Sequence, residues 1–176
     1  MHSTEQLFRE LLETDECSSV KKLVKFDSVS WHPLGGNDSN FGVIDNQQSS
    51  PIAAIVEKLT NSIDAILMKR CIESGIDPKS TEAPDSMHAA IERFFASEYR
   101  NWHLAGIRKK QSQAIQILAK GSRTNPCLTI YDDGEGQHPQ DFEQTFLSLL
   151  QGNKNEIPFV QGKYNMGGTG AIVFCG

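Results

Sequence analysis

Glu57-Lys58-Leu59-Thr60-Asn61-Ser62-Ile63-Asp64-Ala65 is the stretch whose reading decides the fold. Just upstream, Ser49 or Ser50 followed by Pro51 makes a helix start, because proline's fixed φ and missing N–H suit the first helical position. The helix is expected to run to about Cys71. At roughly 100° per residue, Glu57, Asn61 and Asp64 fall within about 60° of one another. Ile52, Ile55, Val56, Leu59, Ile63, Ile66 and Leu67 gather on the other side in an arc of roughly 120°. The expectation is a helix buried through that apolar arc, presenting a line of carboxylate, amide and carboxylate away from it. A solvated polar face is the plain alternative for this helix alone.

Two downstream segments bear on the choice. Residues 128–136 read L-T-I-Y-D-D-G-E-G. Leu128–Tyr131 is a β-prone run, and it ends in an acid, Asp132, followed by the alternate glycines Gly134 and Gly136. A strand ending this way places a carboxylate at a sheet edge, and the glycines permit positive φ and close approach of a flat ligand. The exocyclic amine of a purine is a natural donor to such a carboxylate. The plain alternative is an ordinary Asp-Gly turn leaving a strand. Residues 162–171 read G-K-Y-N-M-G-G-T-G-A, with Gly162, Gly167, Gly168 and Gly170. A loop of this kind leaves backbone N–H groups free to cradle phosphate oxygens. No G-K-[ST] stands at Walker spacing, and no strand-to-helix context supports a dinucleotide fingerprint.

The rest of the chain frames these segments. Residues 3–14 read as a short amphipathic helix with Leu7, Phe8, Leu11 and Leu12 as its stripe. Residues 28–50 read as a loop with one short extended piece around Phe41–Ile44, and residues 74–86 as another loop. Met87–Tyr99 reads as a second helix. Ala114–Ala119 and Cys127–Tyr131, separated by G-S-R-T-N-P, suggest two antiparallel strands. Asp141–Leu150 reads as a helix, followed by a polar loop containing Lys154 and then the glycine-rich tail.

At 176 residues the chain suits one domain, or one with an extra arm, and its 38% hydrophobic content is that of an ordinary globular protein. Its formal charge of −5 does not indicate a nucleic-acid-binding surface. Cys17, Cys71, Cys127 and Cys175 form no C-x-x-C pair, and the five histidines show no helical i, i+4 pairing, so free thiols and no zinc are expected. With neither an apolar signal region nor a run of about 20 apolar residues, the expected location is the cytoplasm, away from membranes.

Taken in order, the three segments resemble the GHKL superfamily of ATPases, which includes DNA gyrase B subunits, ninety-kilodalton heat-shock chaperones, histidine kinases and MutL-type proteins. The motif E-x-x-x-N-x-x-D-A is met by Glu57, Asn61, Asp64 and Ala65. D-x-G-x-G is met by Asp132, Gly134 and Gly136. The glycine-rich lid is met loosely by Gly162, Gly167, Gly168 and Gly170. The phrase running from Gly152 to Gly170 also resembles uncharacterised bacterial ATPases of this superfamily.

The resemblance implies an α+β fold, a two-layer sandwich of helices on one face of a mixed sheet (the Bergerat-type ATP-binding fold). It implies an N-terminal helical arm and loop over residues 1–40 and an ATP-binding domain over residues 41–176, with a helical insertion near 85–110. ATP and Mg²⁺ are the implied cofactors. Asn61 would hold the metal through its amide oxygen, and Glu57 would orient or deprotonate the attacking water. Asp132 would receive the adenine amine, with Gly136 giving the base room. Gly167, Gly168 and Gly170 would wrap the phosphates, with Lys163 adding charge, while Asp64 would shape the pocket. Histidine kinases typically carry asparagine where Glu57 stands, so the carboxylate favours hydrolysis over phosphotransfer. The implied activity is Mg²⁺-dependent ATP hydrolysis driving a conformational or dimerisation cycle. A homodimer would form through the arm and the lid. The alternative is an ATP-sensing module with little or no turnover. In the superfamily a helix and further strands follow the lid. The expectation is therefore a fragment with an unpaired sheet edge, carrying an effector or transducer region beyond Gly176.

Overall fold

Pro51 opens the longest of the described helices, as the sequence anticipates. In the computed structural model α1 spans Pro51–Glu73, 23 residues, with Ser50 in extended conformation as its N-cap. The structure describes residues 50–142, 144–145, 154–162 and 170–174, together with residues 6, 10, 30, 32–37, 40 and 42. Two compact units divide the chain, Met1–Pro33 and Leu34–Gly176. In the first, Gln6 and Glu10 are helical, and the rest of the helix expected over residues 3–14 lies outside the described residues. In the second, a 3₁₀ turn covers Leu34–Gly36, and Asn40 and Gly42 are helical. Phe41, Val43 and Ile44, the other residues of the expected extended piece, lie outside the described residues.

The C-terminus of α1 is closed by Ser74, whose backbone N–H bonds to the Arg70 and Cys71 carbonyls and whose hydroxyl donates to Arg70 O at 2.7 Å. These bonds satisfy carbonyls that a helix end leaves without partners. After the loop through Pro78 and Pro84 come α2 (Met87–Phe94), α3 (Ala96–Arg100) and α4 (Ala105–Ser112). Ser86 caps α2, its hydroxyl accepting from Ala89 N at 3.2 Å. The single helix expected over Met87–Tyr99 is broken at Phe95, whose φ/ψ of −126°/22° is not helical. With α4, the region near 85–110 holds three short helices.

Strands β1 (Ile115–Ser122) and β2 (Asn125–Asp132) form an antiparallel pair in a register running from Ile115 opposite Asp132 to Ser122 opposite Asn125. The pairing extends past the expected strands and leaves only Arg123 and Thr124 to turn the chain. Ser122 makes this possible, because its hydroxyl accepts from Asn125 N at 3.0 Å and contacts the Thr124 hydroxyl at 3.1 Å. A short 3₁₀ turn at Pro139–Asp141 begins the region where a helix to Leu150 is expected. Most of that helix lies outside the described residues. The architecture is α+β, and among the described residues its sheet is this one hairpin. None of the described helices is long and apolar enough to cross a membrane.

The core differs from the expected one in two ways. First, Leu67, Met68 and Cys71 of α1 pack with Ile76, Ala90, Ile157, Phe159 and Val160. Residues 157–160 therefore belong to the core, and the loop read as polar is polar only up to Glu156. Second, the buried stripe of α1 runs through Asp64, Leu67, Met68 and Cys71, at helical i, i+3, i+4, i+7 spacing. It lies on the side of the helix that carries Asn61 and Asp64. Of the expected apolar arc, Leu67 is buried and Ile55, Leu59 and Ile66 are half-buried, while Ile52, Val56 and Ile63 are 71%, 55% and 41% exposed. The residues that bury α1 are supplied from residues 76–95 and 157–160, and they approach it from the polar side.

Candidate functional site

Helix α1 meets the end of β2 along the flank that carries Ser62, Ala65 and Lys69. These residues follow one another at three- and four-residue steps, so they share a face. Ser62 is buried and its hydroxyl donates to Asp132 Oδ2 at 2.9 Å. The other carboxylate oxygen of Asp132 accepts from Gly134 N at 3.0 Å. Glu135 N donates to Ala65 O at 3.2 Å, tying the Asp-Asp-Gly-Glu-Gly turn to the helix backbone. Lys69 Nζ closes the flank, with 2.8 Å to Asp133 Oδ1 and 3.1 Å to Asp133 O. The hydrogen bond to Asp133 raises the Lys69 pKa.

Contact between the two elements requires glycine at position 134. A Cβ added there would lie 2.4 Å from Ala65 Cβ and 2.7 Å from Asp132 Oδ1. Alanine at 65 and glycine at 134 together let β2 reach the helix backbone. Gly136 has φ 67°, with open space where a side chain would stand.

On the adjoining face of α1, Asp64 is fully buried. Both of its oxygens accept from Gln161 N at 3.0 Å, and Oδ2 also accepts from Gly162 N at 2.7 Å. A buried carboxylate held by backbone N–H groups is well compensated. A Cβ at Gly162 would sit 2.5 Å from Asn61 Oδ1 and 3.2 Å from Asp64 Oδ2. Gly162, the first glycine of the 162–171 segment, is thus pressed against the amide and carboxylate of the helical motif. The expected line of groups pointing away from the core is corrected at Asp64, which lies in the packed interior and anchors Gln161 and Gly162 at the start of the glycine-rich segment.

Glu57 and Asn61 are both half-buried on the same side of α1. Gly170 is buried in a turn. Lys163, Gly167 and Gly168 lie outside the described residues. The residue Glu135 is exposed as a whole, yet burial of its carboxyl pushes its pKa above the usual carboxylate range, opposed by the charge of Lys154. Lys154 therefore lies within electrostatic reach of the turn after β2.

Three segments far apart in sequence converge here through Ser62–Asp132 and Asp64–Gln161/Gly162. The motif reading does not single out Ser62, which stands at a variable position of the helical motif, or Gln161, which precedes the glycine-rich segment. Helical spacing carries a signal for Ser62, which shares its flank with Ala65 and Lys69. An apolar cavity of about 240 Å³ lies elsewhere on α1, lined by Ile63, Ile66, Phe95, Tyr99, Trp102 and Ile115 among others. It includes none of the candidate site residues. Comparison with family models, curated proteins and solved structures gives no match for the chain.

Proposed function

We propose that this chain binds ATP and hydrolyses it with Mg²⁺, through a site built on a GHKL-type Bergerat fold. The observation that supports this most is the convergence of the three motif segments through hydrogen bonds among their own residues. Unrelated motif matches would have no reason to meet.

Each residue then has a chemical part. Asp132 uses one bond on each oxygen, and a carboxylate offers about four acceptor positions, so it retains capacity for the adenine amine. The Ser62 hydroxyl and Gly134 N–H hold that carboxylate in a fixed orientation. Gly136 leaves room beside it for a flat base. Asn61 presents a neutral amide oxygen at the lid entrance. Among the described residues no three His, Cys, Asp or Glu side chains cluster as a metal site. A single amide oxygen, completed by phosphates and water, suits a hard cation that keeps most of its hydration. Bound Mg²⁺ supplies neutralisation of phosphate charge. Glu57 stands one turn before Asn61 and takes the role of water-orienting base. Gly162, and Lys163 with Gly167, Gly168 and Gly170 after it, form the phosphate-covering lid, which Asp64 fastens to α1. Dimerisation through the N-terminal arm and the lid completes the cycle.

Calorimetry with ATP and GTP, with and without Mg²⁺, tests the reading. ATP is expected to bind in preference to GTP. Asp132→Asn lowers ATP affinity by about 1–3 kcal/mol, the scale of a lost charge-assisted hydrogen bond, while a thermal melt shows the variant folded. Glu57→Ala keeps ATP affinity and lowers phosphate release roughly 10²-fold. Equal affinity for ATP and GTP overturns the assignment. Turnover that is equally slow in wild type and Glu57→Ala replaces the ATPase with an ATP sensor.

A further inference from the structure

The net charge of −5 conceals a division. Residues 99–131 contain six Lys and Arg and not one Asp or Glu, so the segment carries +6 and the remainder of the chain −11. Arg100, Arg108, Lys109, Lys110, Lys120 and Arg123 are all exposed. They lie on the consecutive elements α3, α4, β1 and the hairpin turn. Among the described residues, none of Arg100, Lys109, Lys120 and Arg123 takes part in an ion pair. Arg108 has a local task. Its guanidinium donates to Trp102 O at 3.2 Å and His103 O at 2.8 Å, and so holds the turn between α3 and α4.

The hairpin register shows what accompanies the cations. Partners across an antiparallel pair point to the same side, and successive residues alternate. Ile115 and Asp132 mark the side facing α1, through the apolar cavity and the Ser62 bond. Gln116 with Tyr131, Leu118 with Thr129, and Lys120 with Cys127 therefore share the opposite, outer side. That side offers a cation, an amide, a hydroxyl and an aromatic ring, and Tyr131 is 49% exposed. Tyr99 and Trp102, which flank Arg100 in sequence and line the cavity on the other side of the hairpin, are 62% and 53% exposed. An eight-residue hairpin extends about 27 Å, long enough to follow several nucleotides.

We infer that α3, α4 and the β1–β2 hairpin form a binding surface for single-stranded nucleic acid, with the cations on the phosphates and the exposed aromatic rings stacked on unpaired bases. These elements carry six cations against two carboxylates, Glu98 in α3 and Asp132 at the end of β2 on the side facing α1, and that excess gives charge complementarity to a polyphosphate backbone. The interleaved aromatics select a strand whose bases are unstacked over a duplex or a lipid surface. This surface is distinct from the ATP site, because Asp132 at the end of β2 lies on the side facing α1, opposite to Lys120 and Tyr131.

Fluorescence anisotropy of the full chain with a labelled 20-nucleotide single strand tests it, beside the same sequence as duplex and beside vesicles rich in phosphatidylserine. The single strand is expected to bind most tightly. With about four phosphates neutralised at a slope near −0.7 each, affinity falls roughly 50-fold between about 50 and 200 mM salt. Lys120→Gln with Arg123→Gln should halve that slope, and Trp102→Leu should weaken the single strand more than the duplex. Lys79→Gln, on a lysine paired with Glu156 at 3.0 Å outside the surface, leaves binding unchanged. Circular dichroism confirms that the variants fold. Absence of single-strand binding at low salt overturns the inference. So does tighter binding to duplex or vesicles, or a salt slope untouched by the hairpin variants.

Discussion

The two ends of the β1–β2 hairpin are held in different ways. At one end Asp132, Asp133 and Glu135 are fastened to α1 by Ser62, Lys69 and the Ala65 carbonyl. Beyond it, every residue from Gln116 to Thr129 is exposed, including Ile117 at 50% and Leu118 at 53%. By contrast, Ile157, Phe159 and Val160 have no regular secondary structure, yet they are 3%, 0% and 3% exposed against α1. One region has regular backbone pairing and little burial; the other has burial and irregular backbone. Hydrophobic stabilisation follows the area removed from water, so the irregular segment holds the fold together. The projecting hairpin is left available for contact with something else.

The largest effect expected from this comparison lies at Phe159. Its fully buried ring belongs to the cluster that joins α1 and α2. Phe159→Ala should cost about 3–5 kcal/mol, the usual range for a buried phenylalanine, read as a lower denaturation midpoint in urea. It should also loosen the start of the glycine-rich segment, because Gln161 and Gly162 follow directly and donate to Asp64. A loss below about 1 kcal/mol would mean that the irregular segment is not what holds α1.

Gly121 provides the matching test on the hairpin. Its φ is 85°, and a Cβ added there would lie 2.6 Å from the Asn125 carbonyl oxygen. Gly121→Ala therefore strains the turn by about 1–2 kcal/mol for the left-handed conformation alone, with the clash in addition. If the projecting hairpin contributes little to the core, the change stays local. Hydrogen exchange should quicken at residues 122–127, while α1 keeps its protection. Faster exchange throughout α1 would break the comparison, by showing that the hairpin and the helix unfold together.

These contrasts also mark what the sequence reveals. The span of α1, the two strands and the loop over residues 74–86 are readable because local signals agree with tertiary structure: Pro51 at the helix start, β-branched and aromatic runs, prolines in the loop. The buried face of α1 is not readable from its apolar arc, because burial depends on which distant segment arrives. Phe159 and Val160 arrive on the side of Asp64, and Ile52 and Val56 stay exposed. The polarity of residues 152–156 conceals the apolar run just after them. The candidate site was legible as three motifs, but not the way they are joined. Ser62 occupies a variable motif position and Gln161 stands just before the glycine-rich segment, and only the fold shows that they carry the connections.

The smallest effect concerns Glu135, at the junction between the anchored end of the hairpin and the rest. Burial raises its carboxyl pKa above the ordinary carboxylate value, and Lys154 offsets part of this. A raised carboxylate pKa means that the folded state holds the proton more tightly than the unfolded state. The folded chain then binds more protons across the window from the ordinary carboxylate range up to the raised value. Stability therefore falls as pH rises through that window, and levels off above it. Glu135→Gln cannot ionise and should remove this part of the slope, making the variant relatively more stable near neutral pH. Urea midpoints at about pH 4.5 and pH 7 for both proteins give the difference. Parallel slopes would show that Glu135 stays solvated at the surface, and that the anchored end of the hairpin is more open than its hydrogen bonds to α1 imply.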